Sequence, residues 1–218
     1  MFNSNDREAY ENTGYFNADG FLPEDLAAQL LDSIRDMKYE TVEQVRHGHY
    51  SHVFSSEIDT LPKQDDSYAA RFDLAENPRD NDVLMQVFEE HLVPAIKDLS
   101  GGRCEYFLFP NVYRLGKGHY FRSHVDSYAG ISGYSFFVND GWKWDYGGIL
   151  SMVHGRDDAR PIFPFHNRAL LRNEEIPSHH FLPVVPDYVD RYQYIILGWA
   201  DEKPGETSKV RGDYLEMR

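Results

Sequence analysis

The chain has 218 residues, 41% hydrophobic and 15% aromatic, which suits one globular domain with a sizeable core and excludes a disordered chain. Its net charge of −14 sets the surface against nucleic-acid phosphates, and no apolar run is long enough to span a bilayer, so neither nucleic acid nor membrane is expected as a partner. The single cysteine, Cys104, rules out an internal disulfide framework and suits a reducing, cytoplasmic compartment, where it reads as a small core residue.

The first residues, Met1 to Glu8, lack a basic region followed by an apolar core and are not read as a signal peptide. Pro23 to Met37 predicts an amphipathic helix. Leu26, Leu30, Ile34 and Met37 recur at helical spacing, Pro23 suits the first position, and Glu24 and Asp25 suit the positive end of the dipole. Glu40 to Asp73 is polar and poorly periodic and is expected to form a loop near the mouth of a site. Asn81 to Ser100 predicts a second helix with Leu84, Phe88, Leu92 and Leu99 on one face; Gly101-Gly102 stops it and Pro94 should kink or split it.

From Cys104 the pattern changes to short apolar or alternating runs between Gly, Pro, Asn and Asp. They are Cys104–Phe109, Asn111–Leu115, Gly133–Val138, Ile149–Val153, Ala169–Arg172, Phe181–Val185 and Tyr192–Leu197. Such spacing predicts strands of a sandwich or barrel. The chain therefore divides into a helical N-terminal support (1–102), a β core (103–200) and a C-terminal tail (201–218), all in one domain.

The chemistry centres on His124-Val125-Asp126. On an extended segment, H-x-D puts an imidazole and a carboxylate on one face. These are two of the three ligands of the 2-His-1-carboxylate cage of non-haem Fe(II) oxygenases. The third has to come from elsewhere, with His154, His166, His179 and His180 as candidates. His179 is the best placed of these, at the head of a strand-like run. His180 would point to the opposite face, so at most one of the two is a ligand. His119, His154 and His166 otherwise read as surface or capping residues.

The stretch from Tyr113 to Trp199 resembles the 2-oxoglutarate and Fe(II)-dependent oxygenases, most closely their prolyl-4-hydroxylase-like branch. Tyr113, Gly116 and Gly118 lead into His124-Val125-Asp126. Phe137-Val138-Asn139, Trp142 and Gly147-Gly148-Ile149-Leu150 follow. The distal motif is His179-His180-Phe181-Leu182-Pro183-Val184, then Arg191 and Trp199. The resemblance implies a double-stranded β-helix, a jelly-roll or cupin-like core behind the N-terminal helices. It implies Fe(II), 2-oxoglutarate and O2 as cofactor and cosubstrates, with ascorbate supporting activity. The metal ligands would be His124, Asp126 and His179, the last singled out by Pro183. Arg191 would pair with the distal carboxylate of 2-oxoglutarate in two-point geometry, and Tyr113 would donate to the same molecule. Ser135 either helps from a neighbouring strand or is an ordinary strand residue. The chain departs from the family's pattern in longer spacings from Pro183 to Arg191 and from Arg191 to Trp199, but a two-residue change preserves strand facing and Arg191 keeps its role; a strand-edge Arg191 paired with Asp187 or Asp190 is the alternative.

The implied reaction is hydroxylation of an unactivated C–H, with release of succinate and CO2. Desaturation and cyclisation are related outcomes. In related halogenases the triad carboxylate is replaced by a small residue, so Asp126 argues against halogenation. Arg71, Arg122, Tyr128, Trp142, Trp144 and Arg168 are substrate-pocket candidates or packing residues. A small molecule, such as an amino acid or a biosynthetic intermediate, is the expected substrate, and a prolyl or other peptide residue the alternative. The competing classes are a non-catalytic cupin-like metal-binding protein, which has no need of Arg191, and a zinc hydrolase, which lacks H-E-x-x-H.

Overall fold

The computed structural model describes residues 2–47, 67–126, 130–155, 158–176, 178–203 and 214–216. Tyr128 and the segment 48–66 lie outside them.

Helix α1 (Ser4–Thr13) opens on a capping box. Asn3 Oδ1 accepts from the backbone N–H groups of Asn5 and Asp6 at 2.8 and 3.1 Å, and Asp6 Oδ2 accepts from Asn3 N–H at 2.9 Å. Strand β1 (Tyr15–Asp19) leads to α2 (Glu24–Arg35), within the predicted range. Its buried residues Ala27, Leu30, Leu31 and Ile34 follow the helical period. The second predicted helix runs unbroken as α3 (Asp82–Val87), a wide turn over Phe88–Leu92, and α4 (Val93–Leu99). Asn81 caps it, accepting from Leu84 N–H at 2.9 Å. Pro94 does not split it. In the wide turn Val93 N–H bonds to Phe88 O, five residues back, which absorbs the ladder bond that proline cannot make.

The expected loop from Glu40 to Asp73 is corrected where it is described. Strands β2 (Tyr39–His47) and β3 (Ser67–Ala75) form an antiparallel ladder running from Tyr39–Ala75 to His47–Ser67. Ala70 and Phe72 are buried, whereas Arg71 is exposed and pairs with Glu43 at 3.2 Å. Charged cross-strand partners on the outer face had hidden the alternation.

The remaining strands are β4 (Tyr106–Leu108), β5 (Asn111–Leu115), β6 (Tyr120–His124), β7 (Ser132–Phe137), β8 (Leu150–Gly155), β9 (Asp158–Ile162), β10 (Arg168–Asn173), β11 (His179–Leu182), β12 (Gln193–Asp201) and β13 (Tyr214–Glu216). The sheet order is β1-β10-β7-β12-β5-β3-β6-β11-β8-β9. Every pairing is antiparallel. The first five strands form one wall and the last four the other, with β3 bridging them. Phe137, Leu170, Ile195 and Leu115 of the first wall share one apolar cluster with Phe121, Leu182, Leu150, Met152 and Ile162 of the second. The sheet therefore curls on itself as the double-stranded β-helix. The outer face of the first wall carries Tyr134, Phe136, Ala169, Leu171 and Ile196, which pack against the helices. Helices alone do not make up the N-terminal support, because β1 and β3 are part of the core sheet.

Asn167 fastens the N-terminal segment to this core. It takes a left-handed φ of 59°, and its amide accepts from Leu22 N–H at 2.8 Å and donates to Leu22 O at 2.7 Å while 2% exposed. Asn167→Ala loses both bonds and leaves buried Leu22 groups unsatisfied. It is expected to lower stability by about 2–4 kcal/mol, read as a shifted denaturant midpoint.

Candidate metal centre

Strand β6 brings Phe121 and His124 to the interior together because its register with β11 slips between the pairs Phe121–Leu182 and His124–His180. His124 ends the strand and Asp126 follows it, both buried. On β11, His180 and Leu182 share one facing by strand alternation, and Leu182 belongs to the interior cluster. Among the described residues, His124, Asp126 and His180 are the one group whose metal-binding atoms converge, all within 4.8 Å.

This corrects His179 as the third ligand. His179 faces out of the barrel, with Nδ1 3.2 Å from Ser123 Oγ. Pro183 spacing pointed to the wrong histidine; the facing of Leu182 identifies the right one.

The three donors suit a divalent metal. His124 Nδ1 donates to the carbonyl of Arg122 at 2.8 Å, which leaves Nε2 with its lone pair for a ligand bond. His124 Nε2 lies 3.8 Å from Asp126 Oδ1, and His180 Nε2 lies 3.3 Å from Asp126 Oδ2. Ligand atoms about 2.1 Å from a metal and at right angles to each other stand about 3 Å apart, so small adjustments close the set. Burial, reinforced by His180, pulls the His124 imidazole down to about 3, so it stays neutral. Burial alone would raise the Asp126 carboxyl. The hydrogen bond and charge of His180, with His124 and Arg172, outweigh that and hold it well below the usual carboxylate range.

Arg172, which the sequence reading left without a role, completes the site. Its Nη1 is 3.1 Å from His180 Nε2 and its Nη2 3.4 Å from Asp126 Oδ2. Its Nε forms an ion pair with Glu174 Oε1 at 3.1 Å. The available signal was Ala169-Leu170-Leu171-Arg172, in which alternation puts a cation on the same inward face as a core leucine.

Of the other candidates, Tyr113 lies on β5 against Phe72 and Phe121, with ring centroids at 4.8 and 5.9 Å, and so faces the interior. Ser135 is buried on β7 opposite Leu170 and Leu197 and shares the facing of Phe137. Arg191 is not brought to the triad. It precedes β12 at the end away from Trp199, the residue that pairs with Gly133 near the metal donors. There it is half exposed, with Nη1 3.5 and 3.4 Å from the carbonyls of Asp140 and Gly141 and Nε 4.0 Å from Asp190 Oδ1. Trp144 is exposed, Trp142 donates to Gly147 O at 3.1 Å, and Arg168 is tied to Asp19, so these three read as surface or packing residues. Arg122 is exposed on β6. His119 and His166 lie near Asp73 and Glu24, at 3.6 and 3.5 Å, and do not join the triad. No helix among the described residues is long and apolar enough to cross a membrane.

No family model matches the chain, and no curated protein matches it. Solved structures do. A prolyl-4-hydroxylase from Pseudomonas putida superposes with a TM-score of 0.59 at 17% identity, covering 91% of this chain and 98% of its own. An oxidoreductase of the 2OG-Fe(II) oxygenase family from Burkholderia pseudomallei gives 0.64 at 12% identity, covering 93% and 92%. The non-heme alpha ketoglutarate dependent carbocyclase SnoK from nogalamycin biosynthesis gives 0.59 at 11% identity, covering 100% and 94%. Identities this low establish architecture, and the architecture of this chain is the double-stranded β-helix of the 2-oxoglutarate/Fe(II) oxygenases, with a His-Asp-His triad inside it.

Proposed function

We propose that the chain is a 2-oxoglutarate- and Fe(II)-dependent oxygenase that hydroxylates an unactivated C–H of a small molecule, an amino acid or a biosynthetic intermediate, with release of succinate and CO2. The observation that carries this reading is the buried convergence of His124, Asp126 and His180 between the two walls of this fold. One carboxylate and two imidazoles hold Fe(II) and leave coordination positions open. When bound, the metal supplies the activation of O2 that couples 2-oxoglutarate decarboxylation to C–H oxidation.

The protein's own part is to hold and orient. His124 is fixed in one tautomer by the Arg122 carbonyl. Tyr113 and Ser135 line the interior and offer hydroxyls to the cosubstrate. Arg191, in the bend just ahead of β12, is the cation for the distal carboxylate. Its present contacts are at the outer limit of hydrogen bonding, so little opposes its turning inward. Arg191→Ala is expected to weaken 2-oxoglutarate binding about tenfold or more and spare metal binding; unchanged cosubstrate affinity would remove it from the site.

The similar structures include a prolyl hydroxylase and a carbocyclase, so peptide and small-molecule substrates both occur on this architecture. The test is succinate formation by purified protein with Fe(II), ascorbate and 2-oxoglutarate against amino acids, biosynthetic intermediates and proline-containing peptides. Stimulation by a small molecule supports the reading, stimulation by peptides alone moves the substrate to the alternative class, and no 2-oxoglutarate turnover leaves a cupin-like metal-binding protein.

A further inference from the structure

Arg172 is the only lysine or arginine among the described residues that is buried, at 3% exposure. Its guanidinium lies against two of the three metal donors and is anchored from behind by Glu174, itself 4% exposed. The neighbouring strand makes room for it. A Cβ on Gly133 would meet Glu174 Oε1 and come within 2.8 Å of Arg172 Nη2. So β7 has no side chain where the Arg172–Glu174 pair crosses it.

Two consequences follow from the geometry. First, a metal on His180 Nε2 would leave the ring proton on Nδ1, which faces Ser178 O at 3.5 Å. Arg172 Nη1 faces that same Nε2 at 3.1 Å. A metal there would free Nη1, while Nη2 keeps its contact with Asp126 Oδ2, 3.4 Å away. Second, Asp126 and Glu174 against Arg172 leave the interior one charge negative. A divalent ion makes it one charge positive, which a carboxylate bound at the metal then balances.

We propose that Arg172 binds the metal-proximal carboxylate of the α-keto acid cosubstrate, bridging that carboxylate and Asp126. This rests on the oxygenase reading above and assigns a cation to the end of the cosubstrate that Arg191 does not serve. A planar fork held beside Glu174 by an ion pair suits two acceptors side by side.

The test measures binding, with Mn(II) as a redox-stable metal and with two keto acids, 2-oxoglutarate and pyruvate, which lacks the distal carboxylate. Arg172→Gln is expected to weaken both keto acids by the same factor, about tenfold or more, while Mn(II) binds at least as tightly as in the wild type because a competing cation is gone. Arg172→Lys keeps the buried charge beside Glu174 but not the fork. It should fold, as followed by thermal unfolding, and still weaken both keto acids. Arg191→Gln should weaken 2-oxoglutarate alone. Keto-acid affinities unchanged in the Arg172 variants would overturn the proposal, as would weakening of 2-oxoglutarate without pyruvate. Mn(II) affinity falling by the same factor would reduce Arg172 to a structural prop. If the wild-type protein bound Mn(II) but neither keto acid, the oxygenase reading itself would fail.

Discussion

Asp126→Ala is expected to abolish 2-oxoglutarate turnover and to weaken metal binding by more than about a hundredfold. Residues that only orient metal ligands typically contribute factors of about 10–100, and Asp126 is the anionic ligand itself. The loss has a second source. With the carboxylate gone, Arg172 has only Glu174 to balance it and faces two imidazoles across a buried space, an arrangement that repels a divalent ion. Asp126→Asn separates the two effects, because an amide still accepts from Arg172 but brings no charge. Both variants should lose turnover, with Asn keeping more of the thermal stability. Succinate release and Mn(II) titration, run together, check this. Retained metal affinity in both variants would remove Asp126 from the ligand set.

The second large effect separates two adjacent histidines. His180→Ala is expected to lower metal affinity by more than about a hundredfold and abolish turnover, because Nε2 is one of the three converging donors. His179→Ala removes a half-buried ring that contacts Ser123 and stands outside the converging donors, and should change metal affinity and turnover by less than about threefold. The opposite pattern would mean that β11 is set one residue out of register, since such a slip exchanges the two faces.

Much of the architecture was legible from local patterns. The amphipathic period of α2, the Gly101-Gly102 stop of the second helix, and the apolar runs of β5, β7, β8, β10 and β12 follow from side-chain spacing alone. What escaped was set by partners distant in sequence. Strands β2 and β3 are laced with charges because one face is solvated, so neither reads as apolar. Strand β1 is legible only through its pairing with β10. Pro94 was expected to kink or split a helix that continues by widening one turn.

The site followed the same division. His124 and Asp126 were marked by their spacing within three residues. The third ligand depended on which face of a short strand turns inward, and Leu182 was a better guide to that than Pro183. Arg172, Glu174 and Gly133 form a constellation across two strands that no linear motif records.

The most direct test of the central claim is an anaerobic titration of the wild-type protein with Fe(II) and 2-oxoglutarate, watched for the weak visible charge-transfer band of a keto acid chelated to ferrous iron. The account predicts that the band needs both components, survives His179→Ala and disappears in His180→Ala. No band in the wild-type protein with both components present, or a band that survives His180→Ala, would contradict it.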